Sequence, residues 1–152
     1  MARVVRSVDQ VVAVERRQFA VSDAAEPPRL PDRISGENIA VGDGCATVTS
    51  TVGMHDAEVR LELWDEQPPA VEQAQLAEVE LEFRSGSVAA WSIPHGPVEP
   101  ILELDGPGRY ALRVYRHGGG PAVRERQDAS DPPVFSGLES YEIRLWRRPP
   151  AE

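Results

Sequence analysis

Four segments of the chain, residues 58–64, 78–84, 109–116 and 139–146, alternate strictly between polar and apolar side chains. Because successive side chains of a β-strand point to opposite faces of a sheet, each segment is predicted to form a strand with one buried face. Glutamate has a low β-propensity, so the strand at 78–84 rests on its alternation alone. The residues predicted to face the core are apolar or aromatic: Val59, Leu61, Leu63, Val79, Leu81, Phe83, Tyr110, Leu112, Val114, Tyr141, Ile143 and Leu145.

Weaker apolar patterns bring the predicted total to eight or nine strands. These patterns lie at 2–5, at 11–21, at 39–41 leading into 45–52, at 88–93 and at 100–104. Segment 11–21 fits either one long strand or a strand with a bulge at 15–17. Glycine-containing turns at 85–87 and 105–108 are each predicted to join two adjacent antiparallel strands.

Three stretches interrupt the alternation. Residues 69–77 are predicted to form a helix of at most two turns, with a proline at its front, where helices tolerate one. Residues 26–36 hold three prolines and are predicted to form a loop. Residues 117–137 are predicted to form a second, long loop, which is either a surface insertion or a functional element.

Strands that have one apolar face and no helices to cover it must cover one another. The predicted fold class is therefore all-β: an antiparallel β-sandwich of two sheets with at most one short helix. A closed barrel is the alternative. The composition, 41% hydrophobic and 27% charged, is that of a globular protein, and residues 1–152 are predicted to form a single domain.

The chain carries a formal net charge of −9. A surface of this sign repels phosphate backbones, so the expected partner is a basic protein and not a nucleic acid. A simpler interpretation of the net charge is that it only keeps the protein in solution. Several glutamates are expected to oppose arginines across neighbouring strands, and they are Glu58, Glu62, Glu80 and Glu82 opposite Arg60, Arg113 and Arg144.

No run of residues approaches the roughly 20 apolar residues of a membrane-spanning helix. The first residues alternate charge with valine and lack the apolar run of a secretory signal, so a cytoplasmic location without membrane contact is expected. Cys45 is the only cysteine, which excludes an intramolecular disulfide within the chain. Its alternation with threonines predicts a buried, unreactive thiol.

None of the common nucleotide-binding, hydrolase, zinc-protease or redox motifs occurs in the sequence. The three histidines, His55, His95 and His117, lie in three different predicted loops and read as surface residues. They would form a metal or acid–base site only if the fold brought two of these loops together. No catalytic residue, metal ligand or cofactor is assigned, and the protein is expected not to be an enzyme.

Aromatic residues supply the strongest candidate for a site. Trp64, Tyr115 and Trp146 fall at outward positions of three predicted strands. Outward tryptophans are enriched in recognition surfaces, although a covering loop would also account for them. Together with Glu58 and Glu62 they form the predicted contact face for a protein partner.

The strand patterns at 59–65, 78–81, 108–115 and 139–146, with the Pro68-Pro69 pair between the first two, resemble those of a known group. The group comprises uncharacterised small acidic β-sandwich proteins of high-GC Gram-positive bacteria, similar to the competence-protein-J-like nuclease inhibitors. The resemblance spans residues 57–148 and departs at 117–137, where similar chains are shorter. It implies a bacterial protein with a sandwich fold and an inhibitor or immunity-type role.

Three functions remain open from the sequence. The first is a non-enzymatic, acidic protein-binding module that masks a basic partner, and association of that kind weakens with salt. The second is a small-molecule binder, which requires a cavity inside the sandwich or barrel. The third is an enzyme that uses His55, His95 or His117 close to one another or to a carboxylate.

Overall fold

The computed structural model describes residues 1–25, 27–28, 39–42, 44–71, 75–93, 95–129 and 135–149. Most of the predicted loop at 26–36 lies outside these residues. The elements in chain order are β1 (Val4–Val14), β2 (Gln18–Asp23), β3 (Ile39–Gly42), β4 (Cys45–Thr49), β5 (His55–Trp64), β6 (Gln75–Phe83), β7 (Ser87–Ser92), β8 (Gly96–Pro97), β9 (Leu102–Glu103), β10 (Gly108–Gly118), α1 (Pro121–Ala129) and β11 (Ser136–Arg147). The predicted mostly-β composition with one short helix is confirmed, and the described residues hold eleven strands where eight or nine were expected.

The first sheet has five strands in the order β1-β5-β11-β10-β6. Its pairs are antiparallel except for β5 and β11, which run parallel with Leu61 opposite Ile143. The second sheet has the order β3-β4-β2-β7-β8, and β9 pairs with β7 beside β8. Strands that follow one another in sequence are therefore often assigned to different sheets.

One hydrophobic cluster takes side chains from both sheets. From the first sheet it includes Leu61 and Ile143, and from the second it includes Phe19, Val48 and Val88. Phe19 packs edge-on against Tyr141 of the first sheet, with ring centroids 4.9 Å apart. All of the side chains predicted to face the core belong to this cluster or, in the case of Val79, pack against it. The strict alternation therefore predicted the buried face of each strand correctly.

Three tight turns carry the chain from one sheet to the other. The turns at 85–87 and 105–108 were predicted to join paired strands, but β6 and β10 lie in the first sheet whereas β7 and β9 lie in the second. The segment 11–21 is neither one strand nor a bulged strand, because the chain turns at Arg16 and Arg17, which have φ angles of 52° and 65°. A short turn reverses the chain, but the shared core decides which sheet receives the next strand.

The helix is not where the sequence predicted it. Residues 69–71 have no regular structure, residues 75–77 belong to β6, and residues 72–74 lie outside the described part. In the region predicted as a long loop, β10 continues to Gly118 and α1 begins at Pro121. Proline at the start of α1 has no N–H to leave unpaired, which favours helix initiation there.

Helix α1 is attached to the rest of the fold by a buried glutamine. The Gln127 side chain donates a hydrogen bond of 2.7 Å to the backbone oxygen of Met54. No helix in the described part of the chain is long and apolar enough to cross a lipid bilayer. The Cys45 thiol is buried, and burial raises its pKa above the ordinary value.

Candidate functional site

The outer face of the five-stranded sheet, opposite the hydrophobic cluster, carries a grid of charged side chains. The strand register places Ser7, Glu62, Arg144, Arg113 and Glu78 in one row across all five strands. Within this row Arg144 lies 3.6 Å from Glu62, and Arg113 donates to Glu78 at 2.8 Å. Cross-strand opposition of glutamate and arginine was predicted, and it is confirmed for Glu62 and Arg144.

Aromatic rings of the predicted contact face stack against these arginines. The Arg144 guanidinium lies 5.2 Å from the ring of Trp64 and 5.0 Å from the ring of Tyr115. The Arg113 guanidinium lies 4.9 Å from the ring of Trp146. Stacked cation–π pairs gain strength when they are removed from water, and the neighbouring rings provide that shelter.

The structure corrects the expected exposure of this face. Tyr115 and Trp146 are each 2% exposed, Glu62 is buried and Trp64 is half-buried. Of the five residues, only Glu58 is exposed. Alternation places a side chain on the outer face of a sheet, but it does not show whether other parts of the chain cover that face. Participation of these five residues in binding stays a prediction.

The segment after β5 is what covers part of the outer face. Arg113 donates hydrogen bonds to the backbone oxygens of Pro68 and Pro69, at 3.0 and 3.3 Å. The Tyr115 hydroxyl accepts a hydrogen bond of 3.4 Å from the backbone N–H of Val71. Arg113 thus uses Nε for a carboxylate and Nη1 for two backbone oxygens, and these bonds hold the cover in place.

Beyond the covered part, the outer face opens into a concavity of about 430 Å³. Glu58 lies within it, together with Asp9, Arg60 and His117. Arg60 is engaged by two carboxylates, at 3.1 Å from Asp9 and 3.0 Å from Glu62. Glu58 therefore shares an accessible depression with other charged side chains, whereas the aromatic residues predicted beside it do not.

The predicted loop histidines have three different environments. The prediction of a surface residue in a loop is wrong for His55, which is buried at the first position of β5. His95 is exposed before β8 of the second sheet, and His117 is exposed near the end of β10. The Nε2 atom of His95 lies 3.7 Å from Glu15. The described residues include no group of three or more His, Cys, Asp or Glu side chains that could hold a metal ion.

His55 belongs to a buried polar cluster that the sequence analysis did not identify. The Ser50 hydroxyl donates to Glu139 at 2.7 Å and lies 2.8 Å from Nε2 of His55. Glu139 also accepts from the backbone N–H of Thr51 at 2.9 Å, and from the hydroxyls of Thr51 and Tyr141. Glu139 occupies an inward position of β11, two residues before Tyr141, and a carboxylate at an inward position was the available signal.

Burial and hydrogen bonding oppose each other at Glu139. Burial raises the pKa of this carboxyl, but the hydrogen bonds from Thr51, Tyr141 and Ser50 together outweigh it and hold the pKa below its ordinary value. Burial lowers the pKa of His55 and outweighs the attraction of Glu139. At neutral pH the cluster therefore contains a charged carboxylate and a neutral imidazole, so that Nε2–H of His55 donates to Ser50, which donates to Glu139.

This order of hydrogen bonds differs from that of a catalytic triad. In a triad the imidazole lies between the hydroxyl and the carboxylate and accepts the hydroxyl proton. Here Ser50 lies between His55 and Glu139, and its proton is committed to the carboxylate. The side chains of His55 and Glu139 are fully buried. The hydrogen bonds of Ser50 and Thr51 to Glu139 join the loop before β5 to β11.

Two solved structures share this architecture along almost their whole length. The first is the crystal structure of ComJ, inhibitor of the DNA degrading activity of NucA, from Bacillus subtilis. It matches with a TM-score of 0.65 and 15% identity, over 97% of this chain and 99% of ComJ. The chain has the fold of ComJ. The expected similarity to the competence-protein-J-like inhibitors is thereby confirmed at the level of the fold.

The second structure is described as crocagin biosynthetic gene J. It matches the present chain with a TM-score of 0.59 and 14% identity, over 95% of this chain and 98% of the second structure. No protein-family model and no curated protein matches the chain. At such low identity the ComJ fold is shared, while side chains on the surface are free to differ.

Proposed function

We propose that the protein is a non-enzymatic inhibitor that binds and masks a basic protein. The observation that carries the proposal is the match to ComJ, which extends over 97% of this chain. ComJ inhibits a DNA-degrading protein, and nothing large is added to or missing from its fold in the present chain. We extend the proposal to the partner and infer a DNA-degrading enzyme.

Charge supports a partner of this kind. An enzyme that degrades DNA must attract the phosphate backbone with basic side chains, and such a surface attracts acidic proteins equally. The net charge of this chain is −9, and exposed carboxylates such as Glu58 and Asp9 lie on the outer face of the first sheet. Association between surfaces of opposite charge is fast and weakens as salt is added.

The buried cluster supports the non-enzymatic part of the proposal. Ser50, His55 and Glu139 are the residue types of a hydrolase site, but they are buried and already bonded to one another. The proposal also includes the finer predictions that the two sheets form a β-sandwich and that the protein acts in the cytoplasm of a bacterium.

Capture from a lysate of the source cells tests the proposal. The immobilised chain is expected to retain a basic DNA-degrading protein at about 50 mM salt and to release it at about 500 mM, because salt screens charges over a Debye length. An unrelated acidic protein of similar net charge serves as the control bait. Retention of the same proteins by both baits, or of proteins without DNA-degrading activity, would contradict the proposal.

A further inference from the structure

Exposed apolar side chains gather at one end of the outer face of the five-stranded sheet. Val11 of β1 is 60% exposed, Met54 before β5 is 54% exposed and Phe135 before β11 is 45% exposed. The backbone N–H of Asp56 donates to the oxygen of Phe135 at 2.6 Å, which brings the start of β11 against β5. Contiguous exposed apolar surface with a polar rim marks interaction sites in soluble proteins.

The strand register places Phe135 next to the start of β5, near Met54, and places Val11 two residues from Ala13 along β1. Ala13 of β1 and Ser136 of β11 lie opposite Asp56 on the two sides of β5. Val11 of β1 lies opposite Glu58, two residues farther along β5. A depression of about 260 Å³ is lined by Ala13, Met54, Asp56 and Phe135 together with Val14, Glu15 and His55. It adjoins the 430 Å³ concavity along β1, since Val11 and Glu58 line the latter.

Acidic side chains border this apolar surface. Asp56 and Glu58 are exposed at alternate positions of β5, and neither forms an ion pair within the described residues. Asp9 is exposed on β1, and Arg60 beside it is engaged by Asp9 and Glu62. The charges of Asp56 and Glu58 are therefore available to a partner.

The loop that presents Met54 is held by hydrogen bonds on two sides. The buried Gln127 side chain of α1 donates to the Met54 backbone oxygen, and the Ser50–His55–Glu139 cluster fixes the chain on both sides of Met54. A surface whose backbone is ordered in advance loses less conformational entropy when a partner binds. An exposed apolar residue on such a support is suited to binding.

We infer that this acidic-rimmed apolar patch, made of Val11, Met54 and Phe135 with Asp9, Asp56 and Glu58 at its rim, is a docking surface for a basic protein segment. The segment carries an apolar side chain flanked by arginines or lysines. The apolar side chain fills the depression between Met54 and Phe135, and the flanking cations pair with Asp56 and Glu58. This inference rests on the proposed function, because it names the surface with which the inhibitor binds its basic partner.

A peptide titration tests the patch without the natural partner. The full-length, ¹⁵N-labelled chain is titrated with a short peptide that has phenylalanine between two arginines, and with the same peptide carrying glycine in place of phenylalanine. Amide shifts are expected at residues 9–15, 54–58 and 135–136. Binding of the glycine peptide is expected to be roughly tenfold weaker, because it loses the burial of one aromatic side chain.

Substitutions provide matched controls. Met54→Gln is expected to weaken binding of the phenylalanine peptide roughly tenfold, by the same loss of apolar burial. Ile93→Gln, in the turn that follows β7, should leave binding unchanged. Glu58→Gln should weaken both peptides, and Glu99→Gln should weaken neither. Thermal unfolding of each variant shows that it is folded, and Val11→Ser replaces Met54→Gln if that variant is not.

Four results would overturn the inference: equal affinity for the two peptides, shifts spread over other acidic surfaces, no effect of the patch variants, or concentration-dependent dimerisation that protects the patch. If these occur while the lysate experiment retains a basic DNA-degrading protein, the patch is wrong and the proposed function stands. If the patch binds the peptide as expected while no such protein is retained, the proposed function is wrong.

Discussion

At the scale of single residues, Glu139 illustrates how this fold accommodates a buried charge. Its carboxylate accepts hydrogen bonds from the backbone N–H and the hydroxyl of Thr51, and from the hydroxyls of Ser50 and Tyr141. Hydrogen bonds to a charged group are worth more than neutral ones, and here they offset the cost of removing the charge from water.

Replacement of Glu139 by glutamine tests this balance. The variant keeps the shape but removes the charge, and its amide group faces donors, so the free energy of unfolding at pH 7 is expected to fall by about 2–4 kcal/mol. Since the pKa of Glu139 is lowered in the folded state, its contribution is complete above the ordinary value of 4.5 and is lost as pH falls through the folded pKa. The difference from the wild type should therefore shrink below pH 4.5.

Denaturant unfolding across pH measures both effects. His55 acts in the same direction, because its lowered pKa makes the protein less stable as pH falls below 6.5 and the unfolded chain takes up a proton. Glu142→Gln is the control: Glu142 is half-buried and pairs with Arg144, so its loss should cost less than about 1 kcal/mol. Equal losses of unfolding free energy for Glu139→Gln and Glu142→Gln would show that the buried cluster stabilises the fold no more than a surface ion pair.

Some features of this cluster could be predicted from the sequence, and others could not. Glu139 falls at an inward position of its alternating segment, which indicates a buried carboxylate. His55 lies at an inward position only because β5 begins three residues before the alternating segment 58–64. Their mutual partner Ser50 is 89 residues from Glu139 in the chain. No local pattern encodes a contact across that separation, because it depends on the parallel pairing of β5 with β11.

At the scale of elements, the connection between β10 and α1 depends on glycine. Gly119 and Gly120 both have positive φ angles, of 77° and 98°. A Cβ atom at Gly119 would lie 2.6 Å from Oγ1 of Thr51, whereas one at Gly120 would meet no atom within 4 Å. Backbone conformation restricts both positions, and packing against the buried cluster restricts Gly119 in addition.

Alanine at each glycine separates these two restrictions. Gly120→Ala is expected to cost roughly 1–2 kcal/mol of unfolding free energy, from the left-handed conformation alone. Gly119→Ala should cost about 1–3 kcal/mol more, because the added methyl group displaces Thr51 from Glu139. Chemical denaturation measures both, and equal costs would mean that the glycine loop is not packed against the cluster as described.

The connections show why the strands were easier to predict than their arrangement. Turn residues at 85–87 and 105–108 correctly predict that the chain reverses. The side chain of Asp23 in β2 accepts hydrogen bonds from the Ser85 backbone N–H and hydroxyl, at 2.7 and 2.6 Å, and so anchors the turn to the second sheet. That contact spans 62 residues, and it is invisible in the local pattern of either segment.

At the scale of the whole molecule, the chain shares the fold of ComJ and carries a formal net charge of −9. The ComJ fold is retained at 15% identity, which is what alternation of apolar and polar positions without fixed residue identities allows. The outer face differs from the core, because other parts of the chain decide which of its side chains stay exposed. Sequence alternation identified that face, while the cover by residues 68–71 and the opening near Glu58 required the structure.

The proposed inhibition of a basic DNA-degrading protein can be tested by titrating the activity of that protein. The purified chain is added stepwise to the protein retained from the lysate, and the rate of DNA degradation is recorded at low and at high salt. We expect the rate to fall to near zero at about one equivalent of the chain at low salt, and inhibition to weaken as salt screens the charges. An unchanged rate in the presence of excess chain would contradict the proposed function.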